Sequence, residues 1–449
     1  MAPLKDRSRI RKLAENLNIP VTEAILQSFK NISRREGQNF TLFAACPNSE
    51  AVLKAALVAA KRANAPVKFA ATLNQVDLDG GYTKWNQERF VQRAFEFAHE
   101  VGYKGPVIVA LDHGGPYLKD LHRIQNWPFE RAMAAVKESL SACVLAGYDL
   151  LHIDATVDPS FGGALPMEIV VDRTVELIEH VEHVRAESKL LPISYEVGTE
   201  EVEGGLTQPE DFSRFLELLK ERLLKYNLRD VWPCFIVGRV GTDLQTATFS
   251  PNTAMKLAEI AGTYGSMIKG HYTDYVANLE AYPASGVGGA NVGPEFSDAE
   301  YSGLMNLVEI EKMLASEGKV TALSNLDHVL KDSVVASHRW EKWRRGDEIA
   351  RSFDELSNER QSWLIRTGCR YVWTEDGVVE ARKILYQNLV RNGVEAHKQV
   401  IEKIVEVMMK YFRAFNLVDS LPKIKSELEA KVEAGQVRAL CSRQPLPVR

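Results

Sequence analysis

Cysteine is scarce and scattered in this chain. There are five in 449 residues, at Cys46, Cys143, Cys234, Cys369 and Cys441, with no CxxC pair. That spacing excludes a disulfide framework and a thiolate zinc site, and implies a cytoplasmic protein with reduced thiols. No uninterrupted apolar run approaches the roughly 18 residues of a membrane span. The basic start, Lys5 to Lys12, leads into no apolar segment, so no secretory signal is expected. Positive charge is not in excess either: the formal net charge is −5, and nucleic acid is not an expected partner. No strand-like run is followed by a GxGxxG or a Walker loop, which argues against nicotinamide hydride transfer and against a nucleotide-dependent kinase. What remains is a soluble globular composition, 45% apolar and 26% charged, with length for one large domain and an appendage, or for two or three ordinary domains.

The pattern that is present is an alternation. Short β-branched and apolar runs occur at TLFAAC (41–46), VKFAAT (67–72), VIVALD (107–112), LLHIDA (150–155), LPISYEV (191–197), CFIVGRV (234–240), SMIKGH (266–271) and GVGGANVG (286–293). Most are followed by stretches with apolar residues every three or four positions, such as Ser49–Asn64, Gln87–Val101, Pro128–Ala146 and Glu168–Ser188. Pro128, Pro209 and Pro251 sit near helix starts, where a missing N–H costs little. Eight such units imply parallel strands, right-handed crossovers and a closed (β/α)8 TIM barrel, with an open doubly wound sheet as the alternative. The four glycines of the eighth run also suit a loop. Residues 1–37 read as an N-terminal helical segment, 38–320 as the barrel, and 321–449 as a C-terminal helical extension that opens near WEKWRRGDE (340–348).

In such a barrel the chemistry gathers at the C-terminal ends of the strands. Seven of the eight runs lead into polar or ionisable residues there: Asn74 and Gln75; Asp112 and His113; His152 and Asp154; Glu196 and Glu200; Arg239; Lys269, His271 and Asp274; and Asn291. Charges at a buried rim are costly unless they pair or bind a cation. Imidazoles and carboxylates from separate strands can supply three ligands to one divalent metal ion, and His113, His271 and a strand-five carboxylate are the candidates. Mixed nitrogen and oxygen donors suit zinc, manganese, nickel or cobalt alike. His152 and Asp154 are two apart and face one side, so Asp154 either orients His152 in the core or joins the site. Asp112 and His113 face opposite sides of a regular strand, and Gly114-Gly115 is expected to loosen the backbone so that both reach the mouth. Lys269 and Arg239 serve an anionic substrate group or neutralise local carboxylates; Asn74 and Gln75 bond a sugar or cap a turn. His99, His122, His180, His183, His328, His338 and His397 read as surface or packing residues.

At NQVDLDGGYT (74–83), LDHGGP (111–116), LLHIDAT (150–156), YEVGTE (195–200), HYTDY (271–275), NVGP (291–294) and SNLDHVLKD (324–332), the chain resembles the accessory subunits of class II tagatose-bisphosphate aldolases, with the related tagatose 4-epimerases and tagaturonate epimerases. The likeness covers roughly residues 38–350 and implies the same barrel. More distantly it is similar to the zinc-dependent class II aldolases. That likeness makes Asp112 a catalytic acid/base, His113 and His271 metal ligands, and Glu196 or Glu200 the strand-five carboxylate. Those aldolases have a further metal histidine after strand five, where this chain reads GTEEVEGG, so Glu200 stands in or the ligand set differs.

The resemblance implies a metal-dependent enzyme acting on an open-chain ketohexose or its phosphate. The ion would polarise the C2 carbonyl as the C3–C4 bond breaks, and Asp112 or Glu200 would take the C4 hydroxyl proton, with Asp154 as a third catalytic candidate. Turnover of the aldehyde fragment before re-addition would give C4 epimerisation of the tagatose/fructose type; its release would give aldol cleavage. Asn74, Gln75, His152, Lys269, Asp274 and Asn291 are candidates for holding the sugar. The alternative is a non-catalytic subunit that stabilises a class II tagatose-1,6-bisphosphate aldolase. The implied partners are thus a sugar or sugar phosphate and, in the alternative, an aldolase catalytic subunit; a homo-oligomer is compatible with both.

Overall fold

A computed structural model describes residues 8–198, 206–242 and 247–435. Eight parallel strands close into a barrel in sequence order: β1 Leu42–Ala45, β2 Val67–Thr72, β3 Val107–Gly114, β4 Leu150–Ile153, β5 Ser194–Gly198, β6 Phe235–Val237, β7 Met267–Gly270 and β8 Val287–Val292. β8 returns to β1 with Asn291 opposite Ala44, so the sheet has no free edge and the open-sheet alternative is excluded. Several strands are shorter than their apolar runs. Asp154 and His271 each lie one residue past a strand, and Arg239 lies two past β6. Among the described residues no helix is long and apolar enough to cross a membrane.

The eighth run is a strand, not a loop, and its glycines have a packing reason. A Cβ on Gly289 would sit 2.9 Å from the Phe235 ring, and one on Gly288 2.5 Å from Met267 Cβ. The barrel interior is filled there by a neighbour's large side chain, which only glycine on β8 accommodates.

The helices between strands begin and end on local signals. Ser49 Oγ accepts from Val52 N at 3.1 Å and Asn86 Oδ1 from Arg89 N at 2.9 Å, satisfying amides that a helix start leaves bare. Two helices, Arg9–Asn16 and Val21–Glu36, precede β1. Arg11 donates to Asp149 (2.6 Å), just before β4, and to the Val107 carbonyl (2.9 Å) that opens β3. The first helix therefore covers the N-terminal end of the barrel and leaves the opposite end for chemistry. After β8 come the helices Pro294–Ser316, Leu326–Ala336, Asn358–Gly368, Asp376–Arg391, Ala396–Ala414 and Ser420–Glu433. Phe43 of β1 packs against Phe296 (ring centroids 5.8 Å) and Phe412 (4.9 Å), so helices from the last third of the chain seal the outside of β1.

Candidate metal and sugar site

The end of β3 sets the geometry. Leu111 pairs with Leu151 and Gly114 with Ile153, so three steps on β3 meet two on β4. The extra residue is a bulge, and His113 takes the left-handed conformation at φ 50° to form it. That turn brings both Asp112 and His113 to the mouth. The two glycines contribute room, not looseness: a Cβ on Gly115 would lie 1.4 Å from the Asp154 carbonyl oxygen. β3 and the β4 exit touch backbone to backbone at that point.

Asp112, His113, His152 and His271 each offer a ligand atom, and those atoms lie within 4.8 Å of one another. The imidazoles form a triangle, with ring centroids 4.6 Å apart for His113 and His271, 4.8 Å for His113 and His152, and 5.2 Å for His152 and His271. Asp112 Oδ1 has no hydrogen-bond partner, and it faces His152 Nδ1 and His271 Nε2 at 3.6 Å each. A buried carboxylate oxygen with an open valence, ringed by three imidazoles from three strand ends, suits a borderline divalent cation. Asp154 Oδ2 holds His113 Nδ1 at 2.6 Å and is itself held by the Thr156 hydroxyl at 2.6 Å, which leaves Nε2 as the free nitrogen of His113.

Glu196 sits beside this donor group, opposite His152 in the β4–β5 register and 3.6 Å from His152 Nδ1. Its Oε1 accepts from Lys269 at 2.5 Å and lies 3.1 Å from His271 Nε2, and its Oε2 is 3.7 Å from Lys68 Nζ. The strand-five carboxylate expected among the ligands is engaged by two ammonium groups and also meets His271 and His152, while Asp112 and His152 join the candidate donors. Burial opposes ionisation of Glu196, but Lys269, Lys68, His152 and His271 outweigh it and hold the carboxyl well below its ordinary range. Asp112 behaves alike: burial raises it, and His113, His271, His152 and Lys269 pull it well below. Asp154 is lowered despite its burial, chiefly by the hydrogen bond to His113. Burial lowers Lys68 to about 8, helped by Lys269. Three ionised carboxylates (Asp112, Asp154, Glu196) against two ammonium groups (Lys68, Lys269) leave a negative excess for imidazole protons or a cation.

Above the donors opens a cavity of about 490 Å³, lined by Asp112, His113, His271, Asn74, Gln75, Asp274 and Asn291, among others. Not all of these are free to bind. Asn74 donates to the Leu118 carbonyl (2.9 Å) and accepts from Asp120 N (2.8 Å). Gln75 accepts from Thr72 N and donates to the Pro47 carbonyl, both at 2.9 Å. Of the two readings left open for this pair, turn bracing is the one these bonds describe. Asp274 accepts from Gly293 N (3.0 Å) and Glu295 N (2.8 Å), capping the Pro294–Ser316 helix. Lys269 is the neutraliser of Glu196, and it and His152, each 1% exposed, lie beneath the cavity and not in its wall. Asn291 is different: it is buried, it lines the cavity, and neither polar end of its amide has a partner. Arg239 is not among the lining residues, and its backbone N–H donates to Thr207 Oγ1 at 2.7 Å. Glu200, with Glu201, Glu203 and Asp243, lies outside the described residues.

Residues absent from the strand-end reading complete the wall: Tyr82, Arg123, Lys342, Trp343, Arg370 and Tyr371. The last four come from the segments after residue 320. Arg123 and Lys342 both reach Asp120, at 3.0 and 3.6 Å. Arg370 is 7% exposed, stacks over Trp343 at 4.9 Å and keeps Nε without a partner. Burial raises the Tyr371 phenol, yet Arg370, Lys342 and Arg339 bring it below its ordinary value. The WEKWRRGDE run contains Lys342 and Trp343, but no strand-end spacing ties any of these residues to the mouth.

The sequence matches the model of the family described as D-tagatose-1,6-bisphosphate aldolase subunit GatZ/KbaZ-like over residues 27–423. Among solved structures, the "probable tagatose 6 phosphate kinase" of Sinorhizobium meliloti 1021 is similar at 24% identity and TM-score 0.67, over 83% of this chain and 100% of that one. The fructose-bisphosphate aldolase of Campylobacter jejuni is similar at 12% identity and TM-score 0.50, over 87% of this chain and 93% of that one. At these identities the two structures speak to the fold.

Proposed function

The chain belongs to the GatZ/KbaZ-like family of D-tagatose-1,6-bisphosphate aldolase subunits, and from that premise and the barrel mouth we propose that it is a metal-dependent enzyme acting on a ketohexose or its phosphate by retro-aldol and aldol chemistry at C3–C4, with C4 epimerisation as the outcome. The observation that carries this reading is Asp112 Oδ1, buried, unbonded and ringed by imidazoles beneath a sugar-sized cavity. His113, His152 and His271 would hold the ion beside Asp112 Oδ1, and the ion when bound would supply Lewis-acid polarisation of the substrate carbonyl.

The other steps belong to the chain's own residues. Four carboxylates line the cavity. Asp154 is held by His113 and Thr156, Asp274 by two backbone amides, and Asp120 by Arg123 and Lys342. Asp112 alone keeps an uncommitted oxygen, so it is the residue assigned to the C4 hydroxyl proton. The Asn291 amide orients substrate hydroxyls, because both its donor and its acceptor are unused. Arg370 and Lys342 offer positive charge at the outer wall, where the far end of an open-chain sugar or a phosphate would lie. Tyr82, Trp343 and Tyr371 give the cavity an aromatic stretch of wall on which a sugar's apolar face can pack.

The family description favours a second reading, in which the chain is a non-catalytic partner that stabilises a class II tagatose-1,6-bisphosphate aldolase. One experiment separates them. The purified chain is incubated alone with fructose, tagatose and their phosphates, with and without added divalent metal, and the sugars are resolved by chromatography. Turnover lost on chelation, lost in His113→Ala and weakened chiefly in KM by Asn291→Ala supports the enzyme. No turnover of any of these sugars, together with a longer lifetime of a co-expressed class II aldolase, supports the subunit.

A further inference from the structure

A second cavity, of about 800 Å³, lies between the Glu50–Ala63 helix of the barrel and the Asp376–Arg391 and Ala396–Ala414 helices. Its volume is in the roughly 300–1,000 Å³ range of small-molecule sites. Two of the groups lining it are buried and unbonded. Trp373, 2% exposed, keeps its indole N–H without a partner; Asn48, 3% exposed, donates from Nδ2 to Ser297 Oγ but leaves its carbonyl oxygen bare. Groups this well buried are almost always hydrogen-bonded, to protein, to water or to a ligand.

A third group is incompletely matched. Glu300, 2% exposed, takes the Ser49 hydroxyl on Oε2 at 2.5 Å, while its Oε1 stands 3.8 Å from Arg382 Nη1, beyond hydrogen-bond reach. Burial raises this carboxyl above its ordinary value in spite of Arg382 and Ser49. Both residues line the cavity, so one ligand hydroxyl can donate to the carboxyl and accept from the guanidinium. Aromatic faces frame the cavity: Trp85, Trp373 beside Arg382 at 5.8 Å, and Tyr386 stacked on His397 at 3.8 Å.

The charges select the ligand class. Lys54 is paired with Glu100, Lys84 donates to the Thr374 carbonyl at 2.5 Å, and Lys383 meets Glu380 at 3.1 Å. The lining lysines are thus committed, and the Arg382 guanidinium faces the Glu300 carboxyl and donates to the Trp373 carbonyl, which favours a neutral ligand over an anion. The open positions are a neutral donor, a neutral acceptor and a carboxyl–guanidinium gap. Adjacent hydroxyls that both donate and accept, on a carbon chain that packs on aromatic faces, satisfy all three.

We propose that the cavity between Asn48, Glu300, Trp373 and Arg382 is a binding site for an uncharged polyhydroxyl compound, a hexitol or hexose, separate from the barrel mouth. The two sites share a wall. Asn48 lines both cavities, and Trp373 follows Tyr371 of the first by two residues. Occupancy here would therefore bear on the segment that closes the mouth. The proposal does not depend on what the barrel mouth catalyses.

The test uses sorbitol and mannitol, which have no carbonyl for the first site to process. Saturation-transfer NMR is run on the full chain and on Asn291→Ala, Trp373→Phe and Glu300→Gln, each checked by thermal melting. Wild-type crystals are soaked in parallel. The expected result is saturable binding kept in Asn291→Ala, weakened at least about five-fold by loss of the indole N–H or the carboxyl, and undisplaced by inorganic phosphate, with soaked density between Trp373 and Glu300. The proposal is overturned by the absence of saturable binding up to about 50 mM, by equal binding in Trp373→Phe and wild type, by displacement with phosphate, or by soaks that show water alone. If both substitutions unfold the chain, the soak and the Asn291→Ala titration still decide.

Discussion

Glu196 is the residue on which the charge balance beside the donor group depends. It neutralises two ammonium groups, each 1% exposed, and braces His271. Removing one partner of a buried ionic group leaves the other uncompensated, so Glu196→Gln is expected to cost about 3–5 kcal/mol in urea unfolding. Lys68→Met is expected to be neutral or stabilising at pH 7, because Lys68 makes no hydrogen bond, is held down to about 8 by burial, and leaves Glu196 with Lys269. Equal losses in the two variants would refute this ordering. Asp274 gives the pH dependence. Burial raises its carboxyl to about 7, with Glu295 adding to the rise and the backbone N–H groups of Glu295 and Gly293, with Arg370, opposing it; Tyr275, Tyr282, Tyr411 and Cys46 complete its surroundings. A folded-state value above the ordinary one means that its stabilisation is whole below about pH 4 and is lost as pH rises through 7. Asp274→Asn keeps the acceptor for the helix cap and loses the charge. Its melting temperature should therefore fall less steeply between pH 4 and 7 than that of the wild type.

At the scale of the element, the bulge at the end of β3 turns an ordinary strand into a site. A side chain at Gly115 would meet the Asp154 carbonyl at 1.4 Å, whereas one at Gly163 would meet nothing within 4 Å. Gly115→Ala is expected to destabilise by at least about 3 kcal/mol, and Gly163→Ala to stay within about 0.5 kcal/mol, as read by urea titration. The strands and their polar ends were legible because a parallel strand buried on both faces is a continuous apolar run, and the run stops where the mouth begins. The bulge was not. Strict alternation puts Asp112 and His113 on opposite faces, and a backbone register shift leaves no mark in residue type. Nor did spacing reveal that Asn74, Gln75 and Asp274 spend their polar atoms on backbone amides and carbonyls, while Asn291 spends none.

For the molecule as a whole, the helices after β8 are part of the barrel's closure. Phe412, fully buried, packs on Phe43, and Arg370, Lys342, Trp343 and Tyr371 wall the cavity. A chain ended at residue 320 would bare the outside of β1. It is expected to be insoluble, or to lack cooperative unfolding by circular dichroism; a soluble, cooperatively melting fragment would contradict this role.

Residue order alone determined the eightfold alternation, which favours a closed barrel over an open sheet, and the gathering of Asp112, His113, His152, Asp154, Glu196 and His271 near one end, because hydrophobic period and strand polarity are local properties of the chain. Only the tertiary structure decided which of them share a centre, that Glu196 answers to two lysines below it, and that residues some 230 positions beyond His113 wall the same cavity. Those outcomes depend on register, burial and the meeting of distant segments, and no local pattern encodes them.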